Sequence, residues 1–297
     1  MNDRSDFVVP DITTRKNQGL SHDPVDYTLP QPLERYSAED HATWATLYRR
    51  QCAMLPGRAC EEFMQGLQQL DVDADRVPDF ARLNQKLMAA TGWRMVAVPG
   101  LIPDDVFFEH LANRRFPVTW WLREPQQLDY LQEPDVFHDL FGHVPLLINP
   151  VFADYLQAYG QGGMRAKDLG FLPLLARLYW YTVEFGLINT ADGLRIYGAG
   201  ILSSKSESLY CLESASPNRV GFDLQRLMCT RYRIDTFQKT YFVIDSFRQL
   251  FDATAVDFAP VYQAVQQLAI LGAGELAPSD KVFHRGSGEG WAQTEDL

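Results

Sequence analysis

The sequence predicts one mainly α-helical domain with a few short β-strands, and three observations carry that expectation. Apolar residues recur at helical spacing through most of the stretch from 37 to 270. Capping and stop residues bracket those stretches. No linker, internal repeat or low-complexity block interrupts them, and 297 residues are enough for one large core.

Taken in order, residues 1–36 are rich in proline and polar side chains and read as an extended, loosely docked arm. Ser37-Ala-Glu-Asp40 is a capping box that opens a helix with Trp44, Leu47 and Tyr48 on one face. A second helix is expected from about Arg58 to Leu70. A third starts at Asp79, carries Phe80, Leu83, Leu87 and Ala90, and stops at Gly92. Pro99-Gly100 marks a turn, and Pro103 starts a helix through Phe107, Phe108 and Leu111. Phe116–Leu122 reads as a short strand. A short helix follows Pro134, another begins at Val151, and a long one runs from Pro173 to Ile188. Strands are expected at Leu194–Tyr197 and Thr240–Ile244, with a helix through Phe247, Leu250 and Phe251. Beyond residue 270 the tail, 271–297, is polar and expected to fray. The catalytic domain is therefore read as 37–270.

A net charge of −11 and the absence of clustered Lys and Arg argue against a nucleic-acid partner. No signal peptide or uncharged apolar run long enough for a membrane is present, so a cytoplasmic protein is expected. Cys52, Cys60, Cys211 and Cys229 are widely spaced, which suits free thiols better than a disulfide framework.

The chemistry is concentrated in Glu133-Pro-Asp-Val-Phe-His138-Asp-Leu-Phe-Gly-His143-Val-Pro145. On an unbroken α-helix, residues five apart point about 140° from each other, too far to share a metal. Gly142 suits the left-handed position that ends a helix, and Pro145 prevents continuation. The expected device is thus a helix that stops near Gly142 and folds His143 back beside His138. A third donor is Glu184, a lone carboxylate in the apolar run 172–188. Burying it costs several kcal/mol, to order of magnitude, unless a metal or cation neutralises it. Arg177, seven residues earlier on the same face, offers a buried ion pair as the alternative. Two imidazoles and one carboxylate leave positions open on one side of a metal, as in Fe(II) oxygenases. Zinc is the competitor, but the zinc-protease pattern needs three residues between its histidines, whereas four stand between these. A metal-stabilised binding protein is the non-enzyme alternative.

Three strings resemble the pterin-dependent aromatic amino acid hydroxylases. They are Pro134-Asp-x-x-His-Asp-Leu-x-Gly-His-Val-Pro145, Tyr179-Trp-x-Thr-Val-Glu-Phe-Gly186 and Tyr197-Gly-Ala-Gly-x-Leu-Ser-Ser204. The likeness runs from roughly residue 20 to 255 and is greatest to the short bacterial members. It implies a catalytic domain that works as a monomer. It also implies hydroxylation of L-phenylalanine to L-tyrosine with Fe(II), a tetrahydropterin such as tetrahydrobiopterin, and O2. Tyrosine or tryptophan is the nearest alternative substrate, because choice among rings turns on a few pocket contacts.

The resemblance assigns iron to His138, His143 and Glu184. It places Phe107 against the pterin ring, with Leu101 and Ile102 offering backbone groups, and Tyr179 on the open side of the iron. Without the resemblance, Phe107 on its apolar stripe reads as a core residue rather than a pterin contact. Asp139 stands where animal members carry Glu, and the likeness gives it a pterin-side role. Arg123 would clamp the amino acid's carboxylate, Asp135 would orient Arg123, and Ser203 and Gly200 would lie near the substrate backbone. An ion pair of Arg123 with Glu124 or Asp129 is the competing reading. Trp180 and Phe185 would wall the ring, and Glu207 falls near the iron's surroundings or the pterin.

Overall fold

The computed structural model describes residues 11–129 and 133–290. Its helices begin and end largely where local chemistry dictates. After α1 (Asp11–Asn17), α2 (Ala38–Met54) starts at Ser37, whose side chain accepts from Asp40 N while Asp40 answers on Ser37 N. A reciprocal cap of this kind contributes about 1 kcal/mol. Helix α3 (Glu61–Leu70) follows, then α4 (Phe80–Thr91), capped by Asp79 and closed by Gly92 in the left-handed conformation, φ 74°. Strand β1 (Arg94–Val98) pairs in parallel with β2 (Arg115–Thr119) across α5 (Asp104–Ala112).

The segment Phe137–His143 is a π-helix that passes into a 3-10 turn, Val144–Ile148, and then into α6 (Pro150–Leu169). Helix α7 (Leu172–Tyr179) runs into a second π segment, Trp180–Glu184. Beyond it lie β3 (Leu187–Thr190), β4 (Gly193–Ile196), α8 (Ala199–Leu202), α9 (Lys205–Glu213), β5 (Asn218–Gly221) and α10 (Leu224–Met228). The chain finishes with β6 (Thr240–Ile244), α11 (Phe247–Thr254), α12 (Phe258–Val265) and β7 (Val282–His284). The larger sheet has the order β4-β3-β6-β5-β7, with β6 at its centre and buried along its whole length. One apolar cluster joins this sheet to the helices, from Trp44 and Phe63 to Tyr241 and Leu250. The mainly helical, single-domain expectation holds.

Three expectations need correction. The arm is neither extended throughout nor loosely docked. In α1, Thr13 Oγ1 donates to buried Glu133 at 2.6 Å, and Asn17 Oδ1 accepts from Trp120 Nε1 at 2.7 Å. The tail is held to residue 290 by β7 on β5 and by Ser216 Oγ, which donates to Glu289 O. The helix expected to reach Ile188 changes to a π turn after Tyr179 and gives way to β3. Thr182 explains part of this change, because its hydroxyl bonds back to Leu178 O and also meets Tyr155 Oη at 2.8 Å. All four cysteines are free. No helix among the described residues is long and apolar enough to cross a membrane.

Candidate metal centre

The two π segments build the site. A π turn is closed by i→i+5 hydrogen bonds, so it brings residues five apart onto one face, which an α-helix does not. His138 and His143 are five apart, and their Nε2 atoms lie 3.2 Å from each other. The helix does not stop at Gly142. That glycine has no positive φ, and its value is space, since a Cβ there would sit 2.9 Å from Ala199 O. Pro145 acts in the 3-10 turn that follows.

In the second segment, Phe185 N donates to Trp180 O at 2.9 Å, itself an i→i+5 bond. This turn delivers Glu184, with Oε1 at 3.2 Å from His143 Nε2 and Oε2 at 3.5 Å from His138 Nε2. Gly198 lets the β4–α8 connection pass against it, because a Cβ there would meet Glu184 O at 2.4 Å. Arg177 makes no pair with Glu184. It donates to Met228 O at 2.7 Å, on α10.

One ligand atom from each of His138, His143 and Glu184 falls within a single 4.8 Å group. The donor set fits a divalent cation. Cis ligands at bond lengths near 2.1 Å stand roughly 3 Å apart, close to the spacings found. The tautomer also fits. Ser203 Oγ donates to Ala199 O at 2.8 Å, so at 3.0 Å from His138 Nδ1 it accepts that ring's proton. The Nε2 lone pair of His138 is thereby aimed at the group. Without a cation, the carboxylate is satisfied on both oxygens only if both imidazoles are protonated on Nε2, which sets two donor nitrogens 3.2 Å apart. Burial opposes charge on Glu184, yet the imidazoles of His143 and His138 hold its carboxyl well below the usual range. Burial likewise opposes charge on His138, and Glu184 overrides it and raises the imidazole.

His138 and Glu184 border a cavity of about 1280 Å³, larger than an ordinary single-ligand pocket. Arg123, Phe107, Leu101, Tyr179, Trp180, Phe185, Gly200 and Ser203 border it too. Arg123 is 6% exposed and is gripped by Asp135, with Nε and Nη2 donating at 2.7 and 2.9 Å. Asp135 also accepts from His138 N at 3.0 Å, tying the arginine to the histidine turn. Glu124 is instead engaged by Arg15 and Lys16, and Asp129 by Arg50. Tyr179 lies over His143 with ring centres 6.2 Å apart and meets Phe107 edge-on at 5.7 Å. Trp180 packs on Phe185 at 4.7 Å and on Tyr232 at 4.6 Å.

Ile102, Asp135, Asp139 and His143 do not border the cavity. Asp139 is turned toward β2, where its carboxylate accepts from Thr119 N at 2.7 Å, so a direct pterin contact is not in place. Sequence reasoning missed Tyr232, Gln238 and the wall segment between them. No periodic pattern marks this stretch, and its place follows only from the long-range packing of Trp180.

Ser203→Ala supplies a test of the tautomer argument. Loss of the hydroxyl lowers metal affinity by about 10- to 100-fold while the fold stays intact. Metal titration of the variant checks this, and unchanged affinity would contradict it.

The comparisons with known proteins agree with this chemistry. A sequence profile of the biopterin-dependent aromatic amino acid hydroxylases matches residues 11–263. Phenylalanine-4-hydroxylase of Chromobacterium violaceum is 80% identical over 297 residues, covering 100% of both chains. The Ralstonia nicotianae phenylalanine-4-hydroxylase is 70% identical over 92% of this chain and 87% of its own. The crystal structure of the C. violaceum enzyme bound to cobalt superposes with a TM-score of 0.91 at 82% identity, covering 93% of this chain and 100% of that one. Its structure with bound oxidised Fe(III) gives 0.90 at 81%, over 92% and 100%. A metal-ready triad on a shared fold, with the family profile matched over residues 11–263 and a relative 80% identical over 297 residues, makes this chain a member of the biopterin-dependent aromatic amino acid hydroxylases.

Proposed function

We propose that this chain hydroxylates L-phenylalanine to L-tyrosine, using O2 and tetrahydrobiopterin at a single Fe(II) held by His138, His143 and Glu184. The observation that carries the reading is the convergence of those three side chains beside a cavity that also presents a buried, carboxylate-oriented arginine. The full-length likeness to phenylalanine-4-hydroxylases supports phenylalanine over other rings.

Iron held there would supply activation of O2, with the tetrahydropterin giving two electrons, one oxygen atom entering the ring and the other leaving on the pterin as its hydroxyl. The protein's own residues bind, orient and exclude water. Arg123 takes the amino acid carboxylate in a bidentate pair, and Asp135 fixes the plane of its guanidinium. Ser203 aims His138, and Gly200 keeps the substrate side open beside Glu184. A Cβ at 200 would come within 3.2 Å of Glu184 Oε2. Trp180 and Phe185 wall the substrate ring. Phe107 offers a face to the pterin, with Leu101 beside it on the cavity, and Tyr179 screens the metal from the pterin side. Asp139 acts from behind, through β2. The working unit is residues 37–270, with the arm and tail docked on it. The likeness to the short bacterial hydroxylases supports a monomer working in the cytoplasm.

The experiment is anaerobic loading with Fe(II), followed by L-phenylalanine, a tetrahydropterin and O2. Tyrosine in proportion to iron is the expected product. Hydrolytic activity with Zn(II) and no tyrosine would overturn the reading.

A further inference from the structure

An amino acid brings two charges into a closed site, and Arg123 answers only one of them. A desolvated ammonium group needs an acceptor, preferably a carboxylate, or it costs several kcal/mol to order of magnitude. Several carboxylates border the cavity. Glu184 is committed to the histidines, and Asp104, Asp129, Asp235 and Glu289 are solvent-exposed. Two buried ones remain, Glu133 and Glu207, each 6% exposed. Glu133 is tied to Thr13 of α1.

Glu207 is held differently. Its Oε1 accepts from both Tyr241 Oη and Gln238 N, the latter at 3.2 Å. Its Oε2 has no partner among the described residues, yet it is not a sealed atom, because Glu207 borders the cavity. Glu207 lies in the first turn of α9, where its N donates to the N-cap Ser204 Oγ, next in sequence to Ser203. The segment that holds it also sets the aromatic wall, since Gln238 Oε1 accepts from Trp180 Nε1 at 2.9 Å. A carboxylate with one oxygen anchored and the other open, on the cavity that the serine and the aromatic wall assigned to the substrate also border, is a ready acceptor.

We propose that Glu207 receives the α-ammonium group of the bound amino acid, completing with Arg123 a two-ended grip on its backbone. This rests on the phenylalanine reading above and names a subsite within it. Burial, partly opposed by the hydrogen bonds from Tyr241 and Gln238, pushes the free Glu207 carboxyl up to about 7, and a cation on Oε2 favours the ionised form.

The test compares L-phenylalanine with 3-phenylpropanoate, which keeps ring and carboxylate but lacks the ammonium. Both are titrated calorimetrically into the iron-loaded protein without O2. Glu207→Gln retains an oxygen for Tyr241 and Gln238 and nearly the same volume. In this variant L-phenylalanine binding weakens roughly 10- to 100-fold, while 3-phenylpropanoate changes little. Glu133→Gln leaves the ratio of the two affinities as in the unaltered protein. Glu207→Asp, which keeps the charge, retains part of the preference and serves if the glutamine variant does not fold. Equal weakening of both ligands, no weakening of either, or a loss confined to the tetrahydropterin overturns the assignment. Failure of the unaltered protein to bind L-phenylalanine would instead sink the reading on which it rests.

Discussion

Glu184→Gln removes stoichiometric iron and lowers tyrosine formation by at least about 10³-fold, roughly 4 kcal/mol of transition-state stabilisation. The substitution preserves volume and the π turn that carries the residue, so what it deletes is the charge opposite two imidazoles. His143→Ala has the same catalytic outcome with an added structural one. His143 is 4% exposed and packs against Phe116 and Tyr179, with ring centres at 4.9 and 6.2 Å, so truncation also leaves a void. Iron analysis and product assay on the two variants separate these effects. A glutamine variant that keeps one iron and the full rate would contradict the donor assignment.

Asp135→Ala has the largest expected effect on stability, a loss of about 3–5 kcal/mol. Asp135 is fully buried and neutralises Arg123, accepting its backbone N as well as two guanidinium nitrogens. Removing the carboxylate strands the arginine in the interior and frees His138 N, so the histidine turn loosens with it. Burial works against ionisation of Asp135, but Arg123 holds its carboxyl below the ordinary value. A group with a depressed folded-state pKa stabilises above its unfolded pKa and loses that contribution as pH falls through the folded one. Denaturant unfolding near neutral pH is therefore the right measurement, and an unchanged midpoint would show that the pair carries no stability.

Much of the helical frame was legible because its signals are local. Ser37, Asp79 and Gly92 mark helix ends by capping chemistry that needs no tertiary partner. Glu184 was legible for a different reason, since an unpaired carboxylate in an apolar run demands neutralisation. Whether Arg177 or a metal supplied it depended on which way a seven-residue offset turned. The π segment after Tyr179 settles that by sending Arg177 toward α10. The convergence of His138 and His143 was foreseen, but through the wrong device. A helix stop at Gly142 was inferred because sequence patterns assume the α period, and π turns carry no distinct pattern of their own. The strands β1, β3, β5 and β7 were missed or swallowed by neighbours, whereas β2, β4 and β6, no longer than five residues, were anticipated. The contacts of Glu207 were out of reach as well. Gln238 and Tyr241 lie 31 and 34 positions away, and only folding of the sheet against α9 brings them together.

The claim that two π turns assemble one iron site is tested most directly by anomalous diffraction at the iron edge from crystals of the Fe(II)-loaded protein. A single strong peak is expected within about 2.0–2.2 Å of the Nε2 atoms of His138 and His143 and of a Glu184 carboxylate oxygen. A peak bonded to other residues, or iron-loaded active protein with no peak between these three, would contradict it.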